Sequence, residues 1–284
     1  MRRRTLLAAL PALAAAAPPP IAIVAGESLY ADIARQIAGP DVAVSAILSN
    51  PDEDPHLFEA SPAVARALSA ARLVIVNGAD YDPWLVKLLR ATKGRDRRVI
   101  DVAALAHKKP GDNPHIWYDV DIVAAAARAI AAELEAIDPA GKAGHASRLA
   151  TFLDSLAPLR GQIAAMRARF AGQSVTATEP VFGYMAASLG LLMRNERFQL
   201  AVMNETEPRP SDVAAFEADL RQHRVRALLY NSQATDQAAK RLLDIATAAH
   251  VPVVGVTETM PAGTTWQGWM SRQLDALAAA LQGP

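Results

Sequence analysis

One helical stretch divides this chain. From Lys142 to Phe170 the apolar residues Leu149, Phe152, Leu153, Leu156, Leu159, Ile163, Met166 and Phe170 recur at steps of three and four. That spacing lines one face of an α-helix. Pro158 lies inside the run, and its ring collides with the carbonyl of Asp154. The proline either kinks one long helix or separates two.

On each side of this stretch, short apolar runs alternate with helical segments. Ahead of it, strands are predicted at Ile21–Val24, Val42–Leu48, Leu73–Val76 and Val99–Val102, with helices at Ser28–Ile37, Pro62–Leu68, Pro83–Leu89 and Ile122–Ile137. Behind it, strands are predicted at Ser174–Thr178, Leu200–Asn204, Ala227–Tyr230 and Val251–Val256. Helices fall at Phe182–Leu189, Asp212–His223, Gln237–Ala249 and Trp269–Leu281. Such alternation implies an α/β fold: two lobes, each a mainly parallel sheet covered by helices, bridged by one long helix. The expected division is an N-terminal lobe over 18–141, the linking helix over 142–172 and a C-terminal lobe over 173–284.

Residues 1–17 read as a signal peptide. Met1-Arg2-Arg3-Arg4 is a positive start, Thr5–Leu13 an apolar centre, and Ala14–Ala17 a run of small residues for cleavage. The apolar centre is too short to cross a bilayer, which takes about 20 residues. Export by the general or the twin-arginine route leads to the periplasm. The chain has no cysteine, which excludes disulfides, thiolate metal sites, cysteine nucleophiles and a lipid-modified N-terminal cysteine. Lys and Arg together number 29, as do Asp and Glu, and no basic stripe suits nucleic acid.

Two loops carry the chemistry. Asn50–Pro62 follows the strand Val42–Leu48 and contains Asp52, Glu53, Asp54 and then Pro55-His56. Lys108–Asp119 follows the fourth strand and contains Asp112-Asn113-Pro114-His115. In an open α/β sheet, ligands bind at the carboxyl ends of the strands. A repeated Pro-His pair among acids and amides at such ends suits a metal cation, because the prolines hold the imidazoles on stiff connections. His145, His223 and His250 lie on predicted helices or at their ends and read as surface histidines.

The chain resembles the metal-binding solute-binding proteins of zinc and manganese ABC importers, the cluster A-I family. The resemblance rests on Asp54-Pro55-His56, Leu73–Gly78 with Pro83-Trp84, Asn113–Trp117, Phe182-Gly183-Tyr184 and the strand ending at Thr257-Glu258. It implies two lobes bridged by a rigid helix, with one divalent ion, zinc or manganese, at their interface. It also implies four ligands: His56, His115, Glu179 and Glu258. Glu179 falls where zinc members usually carry His and manganese members Glu. Glu258 falls where the family usually has Asp, and Glu205 or Glu207 could take its place. Two imidazoles and two carboxylates suit Mn(II), Fe(II) or Zn(II), and the lack of thiolates disfavours Cu(I). The implied function is capture of the ion and delivery to an ABC transporter permease by a monomer that is not an enzyme. A metal-dependent hydrolase using the same His/Glu site is the alternative, although catalytic metals keep an open position and a spare base.

Overall fold

A computed structural model describes residues 20–50, 58, 60–94, 96–233 and 237–283. The expected signal peptide and His56 with its acidic neighbours lie outside the described residues. The N-terminal lobe runs β1 (Ile21–Glu27), α1 (Ser28–Ala38), β2 (Val42–Leu48), α2 (Pro62–Ala70), β3 (Leu73–Val76), α3 (Pro83–Ala91), β4 (Arg98–Asp101), α4 (Val102–Leu105) and α5 (Val120–Ile137). Two helices follow, α6 (Lys142–Ser155) and α7 (Ala157–Phe170). The C-terminal lobe runs β5 (Ser174–Ala177), α8 (Gly183–Ser188), β6 (Leu192–Arg194), α9 (Glu196–Met203), α10 (Pro210–Arg221), β7 (Leu228–Asn231), α11 (Gln237–Ala248), β8 (Val253–Val256) and α12 (Trp266–Gln282).

Both sheets have four strands, every pairing is parallel, and the two orders are equivalent: β2-β1-β3-β4 and β6-β5-β7-β8. In each sheet the chain reverses its direction of winding between the two central strands. Connections leave those strands toward opposite faces, so a crevice opens at their carboxyl ends. β1 shows why helices cover both faces. Ile23 and Ala25 join the core under α1 and α5, while Val24 turns to the other side with Leu68 of α2 and Leu85 of α3.

The linking stretch breaks where Pro158 predicts. Leu156, at φ −78° and ψ −16°, keeps a helical conformation between α6 and α7, and the Arg160 N–H still donates to its carbonyl at 3.0 Å. Pro158 has no N–H to give Asp154, so the chain runs on as two consecutive helices with a joint. Phe152, Leu156, Leu159, Met166 and Phe170 line the buried face. They belong to one apolar cluster that also takes in Ile33 and Ile130 of the first lobe and Val254 and Leu274 of the second.

One strand expectation fails, and one strand was not expected. Leu200–Asn204 is not a strand: Leu200–Met203 closes α9, which buries Phe198 against Phe216 of α10 with ring centroids 5.0 Å apart. A short apolar run fits either period. The strand of this region is β6, an edge strand whose Leu192 is 55% exposed, so it carries little apolar signal. His145 is also not at the surface. It is 1% exposed, with Nε2 3.1 Å from Asp138 Oδ2 and Nδ1 3.0 Å from Arg148 Nη2. Arg148 donates to the carbonyls of Ile37 and Ala38, closing α1 onto α6. His223 and His250 are exposed, as expected, and sit at positive φ just past helix ends.

A second link joins the lobes. Helix α12 begins at Trp266 rather than Trp269, where the Thr265 side chain caps it by accepting from Gly268 N–H. The Trp266 N–H donates to Asp32 of α1 at 2.8 Å, and Gln267 pairs with Gln36. On its other side α12 packs on α7, with Gln162 donating to Asp275. Two crossings that share one core leave little room for hinge rotation. Solution scattering with and without a saturating divalent ion should therefore show the radius of gyration changing by less than about 1 Å, the scale of a pre-organised binder. A contraction of several times that would rule out the rigid bridge.

Candidate metal centre

His115 enters the site through a short local fold. Pro114 stiffens the approach, and Ile116–Tyr118 form a single tight turn behind the imidazole. Asn113 Oδ1 accepts from the His115 backbone N–H at 3.1 Å and lies 2.7 Å from His115 Nδ1. Asn113 Nδ2 donates to the Pro180 carbonyl at 2.7 Å, across the lobe interface. Those partners fix which end of the amide is oxygen. Nδ1 therefore carries a ring proton, and Nε2 faces Glu258 Oε2 at 3.3 Å. Both side chains are almost wholly buried. A neutral imidazole lone pair and a carboxylate lone pair at that distance repel unless a cation, proton or metal lies between them.

Glu258 follows β8 and is held from three directions. Its backbone N–H donates to Gln233 Oε1 at 2.6 Å, as the Thr259 N–H does at 3.0 Å. The Tyr81 hydroxyl donates to Oε2 at 3.1 Å, and Asn231 Nδ2 donates to Oε1 at 2.7 Å. Asn231 Nδ2 also donates to Glu179 Oε2 at 3.1 Å. Glu179 follows β5, is 8% exposed, and makes no capping bond to the turn that it precedes.

Tyr81 is aimed by an unusual turn. Gly78, Ala79 and Asp80 lie consecutively at φ 78°, 52° and 62°, after which Asp82 accepts from Asn77 N–H at 2.8 Å and Gly78 N–H at 2.9 Å. Burial raises the Tyr81 hydroxyl well above its usual range, and the Glu258 charge adds to this. Burial also pushes Asp82 up to about 6, against those backbone bonds. Glu27, at the end of β1, is 4% exposed and faces Asp82; burial, then that neighbouring charge, holds its carboxyl well above the carboxylate range.

The structure thus brings His115 and Glu258 into contact and links Glu179 to them through Asn231. Among the described residues, no three His, Asp or Glu side chains converge closely enough to hold an ion by themselves. His56 lies outside that set, although Phe58, two residues on, packs on Trp84 with ring centroids 4.4 Å apart. Glu205 and Glu207 are exposed, and Glu205 lines a cavity of about 350 Å³ shared with Tyr81 and Pro114. Asn113, Tyr81 and Asn231 have no expectation from sequence. Their only signal is position, each at a strand end or in the loop that follows.

Two lobes of one topology meet at a buried histidine and two carboxylates. Residues 23–280 match the family described as ZnuA, zinc-uptake complex component A periplasmic, and the chain belongs to that family. It is similar to the manganese ABC transporter substrate-binding lipoprotein PsaA of Streptococcus pneumoniae serotype 4, with 24% identity over 277 residues that span 91% of this chain and 88% of the relative. The metal ABC transporter substrate-binding lipoprotein SloC of Streptococcus mutans serotype c is 24% identical over 279 residues, 92% of this chain and 90% of the relative. Among solved structures, the periplasmic zinc binding protein TroA of Treponema pallidum superposes with a TM-score of 0.76 at 21% identity, covering 93% of this chain and 99% of that one. The expected fold class is therefore the observed one.

Gly78 tests the turn that aims Tyr81. A Cβ there would come within 2.3 Å of Asp101 Oδ1 and 2.9 Å of Ala103 Cβ, at a φ that favours glycine. Gly78→Ala should lower the unfolding free energy by about 2–4 kcal/mol, combining clash and strain. Urea denaturation within about 0.5 kcal/mol of wild type would show that the turn is not tightly held.

Proposed function

We propose that this protein captures one divalent transition-metal ion, zinc or manganese, outside the cytoplasm and delivers it to the permease of an ABC importer. The observation that carries the reading is His115 Nε2 facing Glu258 Oε2 at 3.3 Å in a buried interface. His56, His115, Glu179 and Glu258 are the proposed ligands, two neutral imidazoles and two carboxylates whose charge balances a dication. This chain's similarity to a manganese ABC transporter substrate-binding lipoprotein and to a periplasmic zinc binding protein supports both ions. The proposed location is the periplasm, reached with the leader at 1–17, and the proposed working form is a monomer. Lobes over 18–141 and 173–284 flank the link over 142–172.

Asn113 supplies the supporting contact that a metal-binding histidine needs, since the partner of the remote ring nitrogen fixes tautomer and ring orientation. A metallohydrolase on this site would need an open coordination position and a base. The hydroxyl and amide groups touching Glu258 are hydrogen-bond donors, neither of which is such a base.

Titration calorimetry should give one ion per chain, and His56→Ala or His115→Ala should each weaken binding at least tenfold, about 1.4 kcal/mol. Near-native affinity in both variants would remove the ligand assignment. Affinity should also fall as the pH is lowered from about 7.5 to about 5, because protons compete for the imidazoles. Glu179→His should move the ratio of zinc to manganese dissociation constants about tenfold toward zinc, since it replaces a hard charged oxygen by a nitrogen. An unchanged ratio in competition titrations would mean that Glu179 does not touch the ion.

A further inference from the structure

We propose that Glu27 and Asp82 hold a single proton between them at neutral pH, seated on Glu27, and that the chain takes this proton up as it folds. The pair lies behind the turn that carries Tyr81, and the inference does not depend on the metal-capture reading.

Glu27 closes β1, and Asp82 follows β3, its neighbour at the centre of the first sheet. The two acids face each other and are 4% and 1% exposed. A Cβ at Gly26 would lie 3.2 Å from Asp82 Oδ2, so the Asp82 carboxyl packs directly on the end of β1. Both of its oxygens have donors, Asn77 N–H on Oδ2 at 2.8 Å and Gly78 N–H on Oδ1 at 2.9 Å. Glu27 differs. Its two oxygens are out of solvent and neither has a hydrogen-bond donor. The phenols that feel this pair do not supply one: Tyr30 donates to Asn77 Oδ1 at 2.7 Å, and Tyr81 donates to Glu258 Oε2 at 3.1 Å. Among the described residues no ion pair reaches either acid, and Asp101 at the end of β4 adds a third negative charge.

Two buried carboxyls without a cation do not both stay ionised. An ionised carboxylate only accepts hydrogen bonds, whereas a carboxylic acid has one O–H to give. With one proton the pair becomes an acid donating to a carboxylate, a charge-assisted bond. The proton belongs on Glu27, because two amides already hold the charge on Asp82 and none holds a charge on Glu27. The shifts run the same way. Burial, then the Asp82 charge, raises Glu27 well above the carboxylate range, while burial takes Asp82 only to about 6, against its backbone bonds. In the unfolded chain Glu27 is an ordinary acid with a value of about 4.3, so folding at neutral pH binds a proton. The stability this contributes is complete below that value and is lost as the pH rises through the folded one. Ionising Glu27 then sets two charges against each other behind the Tyr81 turn.

Urea titration of the full chain across pH reads this directly. Glu27→Gln keeps the size, offers Asp82 an N–H in place of the O–H, and has no proton to exchange. The unfolding constant of the wild type, divided by that of the variant, should rise about tenfold per pH unit between about pH 6 and 7, the slope of one proton. A ratio that stays constant over this range would overturn the proposal, since Glu27 would then bind its proton equally in both states. Should the variant not fold, the wild type answers by infrared spectroscopy. At neutral pH in heavy water it should show the C=O stretch of a protonated carboxylic acid, and a spectrum without that band would overturn the proposal equally. The same band surviving in folded Glu27→Gln would place the proton on another acid and overturn it as well.

Discussion

His115 and Glu258, from different lobes, meet in a buried interface, and the architecture around them holds that contact. His115 Nε2 and Glu258 Oε2 are 3.3 Å apart with almost no solvent access. Other contacts fasten the same loops. The Tyr118 hydroxyl lies 2.7 Å from the Thr257 carbonyl and 2.8 Å from Gln273 Oε1, the Trp266 indole donates to the Trp117 carbonyl, and Tyr184 donates to the Asn113 carbonyl. Each of these bonds begins or ends within three residues of His115 or Glu258, or on a residue that packs on them. These bonds fasten the two lobes together around the buried His115–Glu258 contact.

The repeated topology explains why acids and amides collect there. Each sheet has its crevice where its central strands end, β1 with β3 and β5 with β7. Glu27 and Asn77 occupy those ends in the first lobe, and Glu179 and Asn231 occupy them in the second. The two lobes use similar residue types differently. In the first, Asn77 holds the Tyr30 hydroxyl at 2.7 Å and gives its amide to the Pro114 carbonyl at 2.9 Å, so it supports the His115 loop. In the second, Asn231 holds the acids directly. Strand ends position backbone; which side chain then faces the interface depends on the loop that follows.

This division marks what was legible in the sequence. The alternation of apolar runs revealed seven of the eight strands, because buried parallel strands carry continuous Val, Ile and Leu. It missed β6, which lies at an edge with Leu192 exposed, and it read the apolar end of α9 as a strand. The Pro-His dipeptides drew attention to His115 because proline restricts the backbone next to it. Nothing local marks Asn231. Its role exists only once β7 lies between β5 and β8 and places one amide between acids that stand 52 and 27 residues away along the chain. His145 was misjudged for a similar reason, since its burial depends on Arg148 reaching the end of α1.

The shared core constrains how an ion leaves. The largest apolar cluster runs from Ile23 through Phe152, Leu159 and Phe170 to Leu274, so it belongs to both lobes and to the helices between them. Rotating one lobe away from the other would expose part of that cluster, at about 25 cal/mol for each Å² uncovered. Breaking the polar layer costs less, because every donor and acceptor freed there can turn to water. Movement at the interface is therefore cheaper in the loops than between the lobes. Within that layer Glu258 is fastened to its own lobe through Asn231 and Gln233, and it meets the first lobe through Tyr81 and His115.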